Sequence, residues 1–267
     1  MQSKNKITIL GTGNATVTRC YNTCFLLTSS GGSRLLVDAG GGNTILAQLQ
    51  KAGVKTEEIT DLFVTHAHTD HVLGVVWMMR MALQYKHPMR VWSHKKVLDL
   101  FTFICQQTLP AKYSAGIGSM VEMHCLSDGD TFDVGDMALQ CFDIHSTKEI
   151  QYGFAATLPG GCRLVCLGDE PYSEECQKYV ENADWLMSEA FCLYADRDRF
   201  HPYEKHHSTA IDAARLAERL RAKNLILYHT EDKTLDTRQQ RYTEEAKSAF
   251  SGQVFVPNDL DEIIVDE

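Results

Sequence analysis

The chain is poor in several things, and each shortage excludes something. No apolar run reaches the roughly 18 residues that a membrane span needs. The opening stretch MQSKNKITIL has no apolar core of the secretory kind. No internal repeat, low-complexity segment or linker interrupts the sequence, so a single domain over residues 1–267 is expected. Bases are scarce: 26 Lys and Arg stand against 35 Asp and Glu, a net charge of -9. That balance repels nucleic acid overall and leaves room only for a local basic patch. Nine cysteines are present, an odd number without a regular framework. They read as thiols of a reducing, cytoplasmic compartment, not as a disulfide scaffold.

What is present is a series of short apolar runs: ITIL (7–10), CFLLT (24–28), RLLVDA (34–39), DLFVT (61–65) and RVWS (90–93). MALQCFDI (137–144), YGFAATL (152–158), RLVCLG (163–168), DWLMS (184–188) and LILYH (225–229) follow. All read as strands. Two stretches read as helices. NTILAQLQKAG (43–53) closes on Gly53, and STAIDAARLAERLRAK (208–223) repeats Ile211, Ala214, Ala217 and Leu220 at helical spacing behind a Ser208 or Thr209 cap. Strands mixed with helices predict sheets covered by helices. Residues 101–124 fit no element well, apart from a loop at SAGIGSM. The acidic tail NDLDEIIVDE is expected to end in solvent.

One stretch carries chemistry by itself. In THAHTDH (65–71), His66, His68, Asp70 and His71 fall within six residues directly after an apolar run. Ligands on one helix face recur at i and i+4. This tighter spacing suits a loop leaving a strand, with side chains fanned around a centre. A lone histidine is usually structural, the reading given to His87 and His94. Three histidines and an aspartate together point to a metal, and imidazole with carboxylate suits zinc first, with manganese or iron as alternatives. His145, Asp169 and His229 also end apolar strands, where one sheet edge could gather them. Taken singly, each is an ordinary strand terminus.

THAHTDH preceded by LLVDAGGG resembles the metallo-β-lactamase superfamily. The resemblance runs through nearly the whole chain. It implies an α/β fold, an αββα four-layer sandwich in which two mixed β-sheets pack face to face between helices. It implies two divalent metal ions, with His66, His68 and His145 on one, Asp70, His71 and His229 on the other, and Asp169 bridging them. Asp38 looks like the early aspartate that supports the histidine loop. SEAF (188–191) and HHSTA (206–210), together with LGTGNA (10–15) and HSTKEIQYGF (145–154), are similar to the ribonuclease Z branch. Glu189 and His207 carry over from its loops, with His207 chosen over His206 because it heads HST. Phe191 and Glu170 stand where that branch commonly has threonine, so the pocket departs from the pattern more than the ligands do.

The implied activity is a phosphodiesterase in which a metal-bridging hydroxide attacks phosphorus. Asp70 orients it or takes its proton, and His207, oriented by Glu189, protonates the leaving oxygen. The substrate is either an RNA 3′ end or a small nucleotide or cyclic phosphate. A β-lactam or thioester hydrolase, and a metal-binding protein without hydrolytic activity, are the competing classes. No membrane partner is expected, and the resemblance implies a homodimer. In ribonuclease Z a long arm that grips tRNA is inserted, in the bacterial form, between the positions matching His145 and Asp169. Here that interval holds only a turn, the strand YGFAATL, a PGG hairpin and the strand RLVCLG, with Lys148 and Arg163 as its bases. An arm-less enzyme preferring small diesters is expected.

Overall fold

A computed structural model describes residues 4–266. The first sheet contains β1 (Lys6–Gly11), β2 (Cys24–Thr28), β3 (Arg34–Val37), β4 (Asp61–Phe63), β5 (Met89–Ser93) and β6 (Val121–Cys125). The second contains β7 (Thr131–Val134), β8 (Met137–Asp143), β9 (Tyr152–Thr157), β10 (Arg163–Cys166), β11 (Trp185–Glu189), β12 (Asn224–Tyr228) and β13 (Gln253–Phe255). A last strand, β14 (Glu262–Ile264), returns to the first sheet, giving the orders β14-β1-β2-β3-β4-β5-β6 and β13-β12-β11-β10-β9-β8-β7.

Side-chain alternation explains the layers. Along β1 and β2, Ile7, Ile9, Phe25 and Leu27 face the second sheet, where Leu139, Phe154, Leu164 and Ile226 meet them. Their neighbours Leu10, Leu26 and Leu36 point the other way, against α1 (Thr44–Lys51), α2 (Thr69–Tyr85) and α3 (Lys95–Thr108). On the far side, the second sheet packs Val165, Leu186 and Leu225 against the helices Ala210–Arg219 and Leu235–Lys247. Strands buried on both faces must be apolar at every position, which is why their sequences run without alternation. The order is helix, sheet, sheet, helix, as the sequence implied.

The helices confirm some expectations and revise others. Gly53, at φ +70°, follows α1, and Thr209 with Asp212 forms the capping box of the helix Ala210–Arg219. The segment 101–124 resolves into the end of α3, a single turn at Ala111–Ser114 and β6. The acidic tail contributes β14, with Ile263 opposite Ile7; Glu267 lies outside the described residues. Among the described residues no helix is long and apolar enough to cross a membrane. The interval between His145 and Asp169 holds no helix. That interval is a loop, β9, a turn and β10.

Parallel pairing positions the site. β3 and β4 run parallel, as do β10, β11 and β12. Their carboxyl ends therefore open toward one edge, which brings the residues after each strand together.

Candidate metal centre

Extended backbone and a helix start share the work at THAHTDH. His66 and His68 lie on the non-helical segment leaving β4, two residues apart, so their rings share a side. His68 then caps α2, and Asp70 and His71 occupy its first turn. The loop expected from the spacing therefore covers only half the motif; the helix begins at Thr69 and swings the other two ligands in. An aspartate there also answers the positive end of the helix dipole. Gly74 permits the close seating of α2, since a Cβ at that position would lie 1.8 Å from the Ala39 carbonyl oxygen.

Among the described residues two groups could hold a metal ion: His66, His68 and Asp169, and Asp70, His71 and His229. Within each, the ligand atoms lie within 4.8 Å of one another. One oxygen ties them together. Asp169 Oδ2 is 3.5 Å from Nε2 of His66, of His71 and of His229. Asp70 Oδ2 is 3.4 Å from His71 Nε2. Ligands bonded at ~2.1 Å around a tetrahedral ion are separated by roughly 3.4 Å, so these spacings fit one. His71 Nε2 is buried without a hydrogen-bond partner, a costly arrangement unless something else binds it. His66 Nε2 and His68 Nδ1 are 2.7 Å apart, a hydrogen bond that an ion between them would replace.

The outer nitrogens are held so that Nε2 faces inward. His71 Nδ1 donates to Asp38 Oδ2 at 2.7 Å. Thr65 Oγ1 also donates to Asp38 Oδ2, at 2.8 Å, and the Thr65 amide donates to Oδ1. With its proton committed to Asp38, Thr65 Oγ1 can only accept from His66 Nδ1, 2.9 Å away. Asp38 thus orients both rings, one directly and one through Thr65, and fixes their tautomers. Thr23 Oγ1 sits 3.2 Å from His229 Nδ1. Asp38, His145 and His229 all have left-handed backbones, at φ 52°, 58° and 57°. Non-glycine residues there store strain of about 1–3 kcal/mol each, a cost concentrated at functional sites.

Electrostatics prepare the donors. Burial holds His66 well below the usual histidine range and pushes His229 down to about 3, so both rings are neutral with free lone pairs. Burial raises Asp169, but the histidines packed around it, His71 with its own raised value among them, outweigh burial, so the net direction is downward. Asp70 is likewise lowered, by His71 against its own burial.

His145 stands apart. It follows β8, but its ring is exposed, lies outside both groups and faces Glu175 at 3.6 Å. Glu189 and His207 do meet. Glu189, 1% exposed, accepts from the Ser208 amide at 2.5 Å, and its other oxygen is 3.6 Å from His207 Nδ1. That separation is an ion-pair contact, too long for a hydrogen bond. Burial disfavours charge on His207, and the Glu189 carboxylate outweighs it, so the net shift is upward. The His207 ring stacks on Phe191 at 4.8 Å and lies 5.3 Å from His229. His206 instead turns outward, 3.0 Å from Thr147. Glu170, the other departure from the branch pattern, is buried and pairs with Lys148 at 3.2 Å. Above the ligands opens a cavity of about 470 Å³, walled by Asn14, Lys148, Phe191, Lys205 and His207.

Thr65, Gln151, Lys148 and Lys205 were not singled out as site residues from sequence. A lone polar residue beside a strand is ordinary, and nothing local distinguishes these four.

Fold and site together define a metal-dependent hydrolase of the metallo-β-lactamase fold, ribonuclease Z-like in its motifs. More specifically, residues 5–255 match the family described as anti-Pycsar protein Apyc1, and the chain belongs to that family. It is 26% identical to a ribonuclease Z of Bradyrhizobium diazoefficiens over 315 aligned positions, covering 97% of this chain and 99% of the relative. The metallo-β-lactamase fold protein YhfI of Bacillus subtilis superposes with a TM-score of 0.77 at 20% identity, over 98% of this chain and 99% of that one. Human tRNase Z, short form, gives 0.76 at 21% identity, over 98% and 100%.

Proposed function

We propose that the protein is a phosphodiesterase that uses two divalent cations, zinc first among them, to hydrolyse small nucleotide or cyclic phosphodiesters in the cytoplasm. The observation that carries this reading is the cavity of about 470 Å³ over the Asp169 oxygen that faces both ligand groups. Small-molecule sites span roughly 300–1,000 Å³. A polymer needs an extended basic track. The cavity offers Lys148 and Lys205, and Lys148 is already paired with Glu170.

The donor set of imidazoles and carboxylates fits zinc, manganese or iron. When bound, such ions supply Lewis acidity to phosphoryl oxygens and make an attacking water acidic near neutral pH. The chain's own residues do the rest. Ionised Asp70 orients the attacking water and accepts its proton. His207 holds a proton at the cavity wall for the leaving oxygen, and Glu189, fixed by the Ser208 amide, keeps that proton in place. His145 remains a proposed ligand of the first group, carried by the motif order, and the loop bearing it would have to turn the ring inward.

A second reading, cleavage at an RNA 3′ end, is favoured by the near full-length relatives named ribonuclease Z. Steady-state comparison separates the two. Metal-loaded protein should show higher kcat/KM on a 3′,5′-cyclic mononucleotide or bis(p-nitrophenyl) phosphate than on precursor tRNA at near-physiological salt. A β-lactam and a thioester should be poor substrates. Efficient 3′ processing of intact precursor tRNA, above both small diesters, would overturn the reading.

A further inference from the structure

Gln151 lies directly before β9, 1% exposed, against the first ligand group. Its Nε2 donates to Asp169 Oδ1. A carboxylate only accepts, so this contact fixes which end of the amide faces Asp169. The same nitrogen is 3.0 Å from His66 Nδ1, whose proton is committed to Thr65, so this is a packing contact and Asp169 is the hydrogen-bond partner. The backbone on either side is pinned. The Gln151 carbonyl accepts from the Ile144 amide, and the Tyr152 amide donates to the Thr65 carbonyl. Gly168 makes room for it, because a Cβ there would come 3.1 Å from Gln151 Cδ. The side chain thus has one rigid seat against the carboxylate.

We propose that Gln151 is the positioning residue for the shared carboxylate. By occupying Asp169 Oδ1 it reserves Oδ2 as the single oxygen presented to both groups, and Oδ2 is the atom found 3.5 Å from three histidine nitrogens. Without it, Asp169 can rotate and offer both oxygens to one side. A purely structural role fits poorly. Gln151 Oε1 is buried with no partner, and burying an amide oxygen without a donor costs stability. The residue pays that cost for its contact with Asp169.

The inference rests on the two-cation reading, and its test does not depend on substrate. Zinc or manganese is titrated into chelator-stripped protein against a chromophoric competitor, for wild type, Gln151→Met and Gln151→Asn, beside metal-free melting curves. Met keeps the bulk and loses the donor. Loss of a group that orients a ligand typically weakens metal binding 10–100-fold. Gln151→Met should therefore bind metal that much more weakly, while it still melts cooperatively without metal. Gln151→Asn, too short to reach Oδ1 from the same backbone, should weaken binding similarly, so a failure of Met to fold leaves the question decidable. Parental affinity in either folded variant overturns the proposal. So does a loss of metal-free stability with affinity unchanged. A wild type that binds no second equivalent would instead refute the two-cation reading.

Discussion

Asp169→Ala should abolish the activity more completely than any other single change. Its Oδ2 lies 3.5 Å from Nε2 of histidines in both ligand groups, so alanine removes a donor that faces both. The variant leaves Asp70, His71 and His229 on one side, and His66 and His68 with the proposed His145 on the other. Lewis-acid stabilisation is worth several kcal/mol, and each roughly 1.4 kcal/mol is tenfold in rate, so the loss should be about 10³-fold or more. Elemental analysis should find fewer than two equivalents. The thermal stabilisation that added metal gives the parent, about 2.7 kcal/mol at a hundredfold excess over Kd, should shrink as well. A variant that kept two equivalents and the parental rate would show that Asp169 is not shared.

His207→Ala should give the opposite pattern, with full metal content and little rate. Its ring is stacked on Phe191, and its upward-shifted proton is held against burial by Glu189. General acid catalysis is typically worth 10²–10⁴-fold, and that loss should appear in kcat on a substrate with a poor leaving group. On a p-nitrophenyl ester it should nearly vanish, since that leaving group departs unprotonated. The sign of the pH dependence follows from the role. An acid works only while protonated, so the parental rate on the poor leaving group should fall as pH rises through the raised His207 value. The variant should lack that limb. Parental turnover of a poor leaving group by His207→Ala would remove the residue from the mechanism.

The sequence was legible where one physical signal dominated. Strands such as CFLLT are buried on both faces, and the structure begins and ends β2 where the apolar run does. THAHTDH was legible because four ligand-type residues so close together have few other uses. α2 was not. In VLGVVWMMRMAL apolar residues fall on nearly every position, with Leu73 and Trp77 left partly exposed, so no 3.6-residue contrast marks a helix. β14 was masked by its charges: Glu262 and Asp266 flank the buried Ile263 and Val265, and pairing with β1 overrides the acidic composition. The supporting contacts were illegible for a different reason. Thr65 reaches Asp38 across 27 positions, and Gln151 reaches Asp169 across 18. Such partners are set by sheet pairing, which local pattern does not reveal.

Hydrolysis of a small phosphodiester should need both ligand groups filled. That requirement is tested most directly by titrating zinc or manganese into chelator-stripped protein while following bound metal and the hydrolysis of bis(p-nitrophenyl) phosphate in the same samples. Binding should saturate at two equivalents per chain, with activity rising chiefly as the second equivalent binds. Full activity at one equivalent, or activity that persists in excess chelator, would contradict that requirement.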